Sequence, residues 1–116
     1  MFDPEYDAVT AAPAHHRVLL ENEFVRVLET ILEPGDTVPM HTHACAASTY
    51  IISGTDLVRR GAEGEILMDT RANGITLHPG TAGWTQPLGL HTLENVGTTP
   101  LHVITTEIKA AVTDVF

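Results

Sequence analysis

The chain has 116 residues, room for one domain with one core, and aromatics make up only 5 % of it, so aliphatic side chains must fill that core. Its 15 acidic residues outnumber 6 basic ones, a formal charge of −9, and such a surface repels nucleic-acid phosphates and anionic lipid; neither is an expected partner. The single cysteine, Cys45, rules out an internal disulfide and fits a reducing compartment, and no run approaches the roughly 20 apolar residues of a membrane span, so a cytoplasmic protein is expected.

Residues 1–16 carry Pro4, Pro13 and several alanines without periodicity, and lack the apolar run of a secretory signal; they read as an irregular N-terminal arm. From residue 17 the pattern is β. Val25, Val27 and Ile31 alternate with Arg26, Leu28 and Thr30, and Glu33-Pro34-Gly35-Asp36 is a turn signal. The β-branched and aromatic run Thr49-Tyr50-Ile51-Ile52 stops at Ser53-Gly54, and Gly61-Ala62-Glu63-Gly64 marks another turn. Asn73-Gly74, between Ile66–Met68 and Ile75–Leu77, predicts a tight hairpin. His78-Pro79-Gly80, Pro87-Leu88-Gly89 and Val96-Gly97 punctuate the rest, and Leu101–Ile108 closes with an alternating strand. Residues 109–116 have the composition for a short helix, which leaves 17–109 as the domain and 110–116 as a tail. About eight or nine short strands spaced by turns predict an all-β fold, a jelly-roll sandwich or barrel with a central cavity.

Seven histidines are present. His41 and His43, spaced i, i+2 on a predicted strand, share one face, as two imidazole ligands of a metal must; the same spacing also serves a polar pocket or a solvated face. His91 lies on another strand, and only the fold can bring it to the same point. His15 and His16 fall in the arm and are expected to be solvated, His78 sits in a turn, and the parity of His102 against Leu101 and Val103 places it outside the core.

The residues around these histidines narrow the reading. Gly35, the five residues after it, His41-Thr42-His43 and Gly54 resemble the first motif of the cupin superfamily; Pro87, Gly89, His91 and Asn95 resemble the second. The frame from HHRVLLENEFVRVLETILEPG to ENVGTTPLHVITTEIK is similar to small single-domain bacterial cupins. The resemblance implies a cupin jelly-roll β-barrel, also called a double-stranded β-helix. It implies one divalent transition metal (Fe, Mn, Ni or Zn, identity open) on His41, His43 and His91. Two departures stand out. The glutamate of the first motif falls at position 47, where this chain has Ala47, and Gly89 is one residue closer to His91 than the second motif expects.

Three neutral imidazoles leave a divalent metal its full charge, which favours anionic partners. The resemblance therefore implies an Fe(II)-type dioxygenase acting on a small anionic or enolisable molecule; a cupin isomerase or lyase, or a non-catalytic metal- or ligand-binding module, fits the same residues. No general base is apparent. Cys45 and Ala47 share the parity of His41 and His43 and are expected to face the cavity, Cys45 as a small apolar side chain, a weak fourth ligand or an oxidation-sensitive thiol. Gln86 is a candidate neutral ligand, Trp84 and Met40 candidate pocket walls, and Asn95 a turn residue. A homodimer is expected, with the arm or an edge strand giving contacts.

Overall fold

The computed structural model describes residues 2–109. Among these, nine strands form two antiparallel sheets: β1 (His16–Glu21), β2 (Val25–Leu32), β3 (Thr37–His43), β4 (Ala47–Ser53), β5 (Leu57–Gly61), β6 (Ile66–Asp69), β7 (Ala82–Thr85), β8 (Leu88–Asn95) and β9 (Leu101–Ile108). One sheet has the order β1-β2-β9-β4-β7 and the other β3-β8-β5-β6. Only β1–β2 and β5–β6 are sequential neighbours within a sheet; every other connection crosses between sheets, which winds the chain into a double-stranded β-helix.

Turn chemistry drives the first crossing. Pro34 presets the bend after β2, Gly35 takes φ +83°, and Asp36 N–H closes the turn on the Glu33 carbonyl at 3.0 Å. At Gly54 close approach matters instead: a Cβ there would overlap the Leu77 carbonyl, so only glycine lets the two segments meet.

Period-two alternation then sorts side chains into the barrel. On β2 the inward set is Leu28, Thr30 and Leu32, while Ile31 is exposed. On β9 it is Leu101, Val103 and Glu107. Ladder register sets the two ends apart. Leu32, Val38, Leu57 and Leu101 fill one end as part of a continuous apolar cluster. Arg26, His43 and Glu107 lie at the other.

Asn95 seals the apolar end. Fully buried, it donates through Nδ2 to the carbonyls of Leu32 and Thr99, both at 2.9 Å. Its Oδ1 accepts from Thr55 Oγ1 and Gly97 N–H. It holds a turn, as its sequence position suggested.

Three expectations are corrected. Asn73-Gly74 does not make a hairpin. Asp69 accepts from the N–H groups of Arg71 and Ala72 and caps a short helix, α2 (Thr70–Asn73), which Gly74 ends at φ 67°; residues 75–77 form no strand. Side-chain capping at Asp69 outcompeted the turn signal four residues later. Nor is the stretch from His43 to Ala47 continuous strand: residues 44–46 turn the chain from one sheet to the other, so Ala47 belongs to β4.

The arm, finally, is built into its own barrel. It forms a 3₁₀ turn (Pro4–Tyr6) and a helical turn α1 (Ala8–Ala11). Ala8 and Ala12 are buried, Asp7 bridges to Thr42 on β3, and β1 starts at His16, one residue before the expected boundary. The helix expected at 109–116 falls, beyond Lys109, outside the described residues.

Candidate metal centre

Four histidines converge on the polar end of the barrel. β3 shifts register between Val38 and His41 and again between His41 and His43, with Pro39, which has no N–H to give to the ladder, inside the first irregularity. The shifts let Val38, His41 and His43 all line one cavity despite unequal spacing. Across the ladder the Cα partner of His41 is His91, whose ring centroid lies 4.2 Å from that of His41 and 5.5 Å from that of His43.

The fourth is His16. It was expected to be solvated, but is 6 % exposed, with its ring 5.1 Å from His41 and 5.6 Å from His43. The reason is register: His16 pairs with inward-facing Thr30 as the first residue of β1. The ligand atoms of His16, His41 and His43 all lie within 4.8 Å of one another, the group of three so placed among the described residues; His91, the expected third ligand, is not part of it.

Each ring has its Nδ1 engaged. Nδ1 of His41 donates to the Pro39 carbonyl at 2.7 Å, that of His91 to the Gly89 carbonyl at 2.6 Å, and that of His16 to the Ala12 carbonyl at 3.0 Å. His43 Nδ1 meets the Glu107 carboxylate at 3.1 Å. A carbonyl can only accept, so Nδ1 carries the proton and the neutral ring keeps its lone pair on Nε2. Nε2 of His41 stands 3.2 Å from Nε2 of His43. The lone pair of His41 Nε2 therefore points at His43 Nε2, and a cation between the two would satisfy both. Two imidazoles at right angles on one cation, each about 2.1 Å away, would be about 3 Å apart, so these two fit a shared metal.

Electrostatics keep His16, His41 and His91 in the donor state. Burial, reinforced by the charge of His91, pushes the His41 pKa down to about 3. Burial lowers His91 to about 4 against the opposing bond to Gly89, and lowers His16 as well. Behind His43 runs a chain of charged groups. Burial would raise the Glu107 pKa, but hydrogen bonds from His43 and Arg26 outweigh it and hold the group below the usual carboxylate range. Arg26 Nε donates to Glu107 at 2.7 Å, and its Nη1 and Nη2 grip both oxygens of Asp7, at 2.9 and 2.7 Å. The arm thus supports two of the rings: His16 through the Ala12 carbonyl, and His43 through Asp7, Arg26 and Glu107.

The cavity in front of the histidines has a volume of about 410 Å³. Cys45, Ala47, Trp84 and Gln86 line it; Met40 does not, because the register shift in β3 brings His41 rather than its neighbour to the inner face. Trp84 and Gln86 are exposed and stand at the rim. Burial and the nearby Glu107 carboxylate raise the Cys45 pKa, so it is a thiol rather than a thiolate. No carboxylate replaces the missing motif glutamate in the wall itself. The Cα partner of Ala47 is Glu107, whose oxygens are taken by His43 and Arg26.

The crossing strands and the convergent imidazoles define a double-stranded β-helix barrel with a histidine-lined pocket at one end. No protein-family profile and no curated relative matches the sequence. Solved structures do match. A cupin domain from Bordetella pertussis Tohama I gives a TM-score of 0.67 at 23% identity, covering 82% of this chain and 92% of that one. The polyketide cyclase RemF from Streptomyces resistomycificus gives 0.54 at 15%, covering 82% of this chain and 64% of that one. A predicted oxalate decarboxylase from Thermotoga maritima gives 0.51 at 22%, covering 80% and 77%. The chain takes the cupin fold.

Proposed function

We propose that the protein binds one divalent transition-metal ion through His41 and His43, with His91 and His16 completing the donor set, and acts on a small organic anion in the cavity. The observation that carries this reading is the pair of Nε2 atoms 3.2 Å apart, each ring held by its Nδ1. When bound, such a metal supplies a Lewis acid with open coordination positions. The chain supplies the rest: carbonyls of Pro39, Gly89 and Ala12 fix the tautomers, Glu107 orients His43, and the apolar wall excludes water.

No aspartate, glutamate, lysine or tyrosine lines the cavity among the described residues, so the chain offers no general base apart from its imidazoles. This favours chemistry centred on the metal. Every imidazole that ligates takes a position from substrate. Four leave room for a chelating anion, and favour lyase- or isomerase-type Lewis-acid catalysis. Three leave room for an anion and dioxygen together, as the Fe(II)-type dioxygenase reading requires. A polyketide cyclase and a predicted oxalate decarboxylase among the structural relatives support a small oxygen-bearing organic substrate.

The test is metal analysis of untagged protein, followed by oxygen uptake of the Fe(II)-loaded form with β-dicarbonyls, thiols and catechols. One equivalent of metal without oxygen uptake is expected. Turnover of oxygen would restore the dioxygenase reading, and substoichiometric metal unchanged by His41→Ala would overturn the site.

A further inference from the structure

Among the six lysines and arginines, five are paired with a carboxylate: Arg17, Arg26, Arg60, Arg71 and Lys109 all form ion pairs. Arg59 forms none with the described residues, in a chain with 15 acidic side chains. It is also the only one of the six that lines the cavity. It lies on the inward face of β5 with Leu57, paired to Leu93, two residues from the Gly61–His91 pair. Its Nε is buried and has no hydrogen-bond partner. Burial lowers its pKa with nothing opposing, yet a guanidinium keeps its charge at any ordinary pH.

Arg59 as a whole is half-buried, and its Nε has lost water without gaining a partner, which is costly; an apolar side chain of similar size there is ordinarily neutral or stabilising. Nothing the described chain places around Arg59 compensates it. The missing partner is then an anion from outside, entering the same cavity that the histidines face. The planar fork of a guanidinium matches the two oxygens of a carboxylate. A phosphate, with its greater charge, would call for a second cation, and no other lysine or arginine among the described residues lines the wall. Leu28, Ile51, Met68, Leu77 and Leu93 surround the space between, which suits an apolar body.

We propose that Arg59 is the anion-binding residue of the cavity and that its ligand is a small carboxylic acid with an apolar body, the carboxylate held by Arg59 and the far end turned to the histidines. Only the placement of the far end rests on the proposed metal centre; the carboxylate site stands on Arg59 alone.

The experiment measures binding of hexanoate, hexanamide and inorganic phosphate by calorimetry, to chelator-treated protein and to Zn-loaded protein. Hexanoate should bind the chelator-treated wild type about ten-fold or more tighter than hexanamide, the increment of a charge-assisted hydrogen bond. Arg59→Gln should bring hexanoate down to the level of the amide, and Arg59→Lys should fall between. Arg59→Met should melt at or above the wild-type temperature without ligand, and hexanoate should raise only the wild-type value. Equal affinity for hexanoate and hexanamide, phosphate binding tighter than hexanoate, or a markedly lower melting temperature for Arg59→Met would each overturn the proposal. The hexanoate–hexanamide comparison needs no variant, so it decides even if the substitutions do not fold. Loss of zinc binding with the hexanoate preference intact would sink the metal centre and leave the Arg59 site standing.

Discussion

The two ends of the barrel are made by the same strands and behave oppositely. At the closed end the inward positions are aliphatic or, in Asn95 and Thr70, polar groups bonded within the chain. At the open end the same strands turn inward His41, His43, His91, Arg26 and Glu107, and bring the Nε2 atoms of His41 and His43 to 3.2 Å from each other. One end is complete by itself; the other, on the proposed function, is completed by a cation. The closed end should therefore govern folding, and the open end binding.

Substitution at each end breaks the comparison most strongly. His41→Ala should lose more than about nine-tenths of bound metal while circular dichroism and the melting temperature of the metal-free protein hold, since one donor is gone from a site the fold does not need. Asn95→Ala should do the reverse. It strands the carbonyls of Leu32 and Thr99 and should cost about 3–5 kcal/mol in urea unfolding, with metal affinity kept in the folded fraction.

Acid sharpens the contrast next. His41 titrates near 3 and His91 near 4 in the folded chain, both below the usual 6.5. Below pH 6.5 the unfolded chain takes up protons that these buried rings refuse, so the metal-free fold weakens as pH falls. The slope is about 1.4 kcal/mol per pH unit per histidine down to about pH 4, then for His41 alone to about 3. Unfolding free energies from urea titrations at pH 7.5 and pH 5 should differ by about 2–4 kcal/mol; equal values would mean the rings are not buried neutral.

Glu107→Gln probes the support behind the ligands. The ring of His43 keeps a hydrogen-bond partner but loses a charged one, and metal affinity should fall about ten-fold with Arg26 still bound to Asp7. The smallest effect concerns assembly. With the arm packed on its own barrel, the homodimer expected from the sequence is proposed on the edge strand β1, where Val18, Leu19 and Leu20 are exposed. Light scattering should give a dimer mass for the wild type and a monomer for Leu20→Lys.

Much of this was legible in the sequence because motif glycines, turns and parity are local. Gly35, His41, His43 and Asn95 each sit where spacing put them. His16 was missed because its position depends on where β1 begins, which the arm decides by packing Ala8 and Ala12 into the barrel. Glu107 carried a readable signal: counting by twos from Leu101 and Val103 reaches it, and points a carboxylate inward. Arg59 had the same signal with Leu57, but its lack of a partner is a property of the folded surroundings alone. The Asn73-Gly74 hairpin failed because a capping side chain at Asp69 is invisible to a two-residue turn rule.

The central claim is tested most directly by an anomalous-difference map from crystals grown with zinc and recorded at the zinc edge. The account expects a single peak about 2.0–2.2 Å from Nε2 of both His41 and His43, with His91 and His16 turned to it. A peak elsewhere, or His41 and His43 facing apart with none between them, would contradict it.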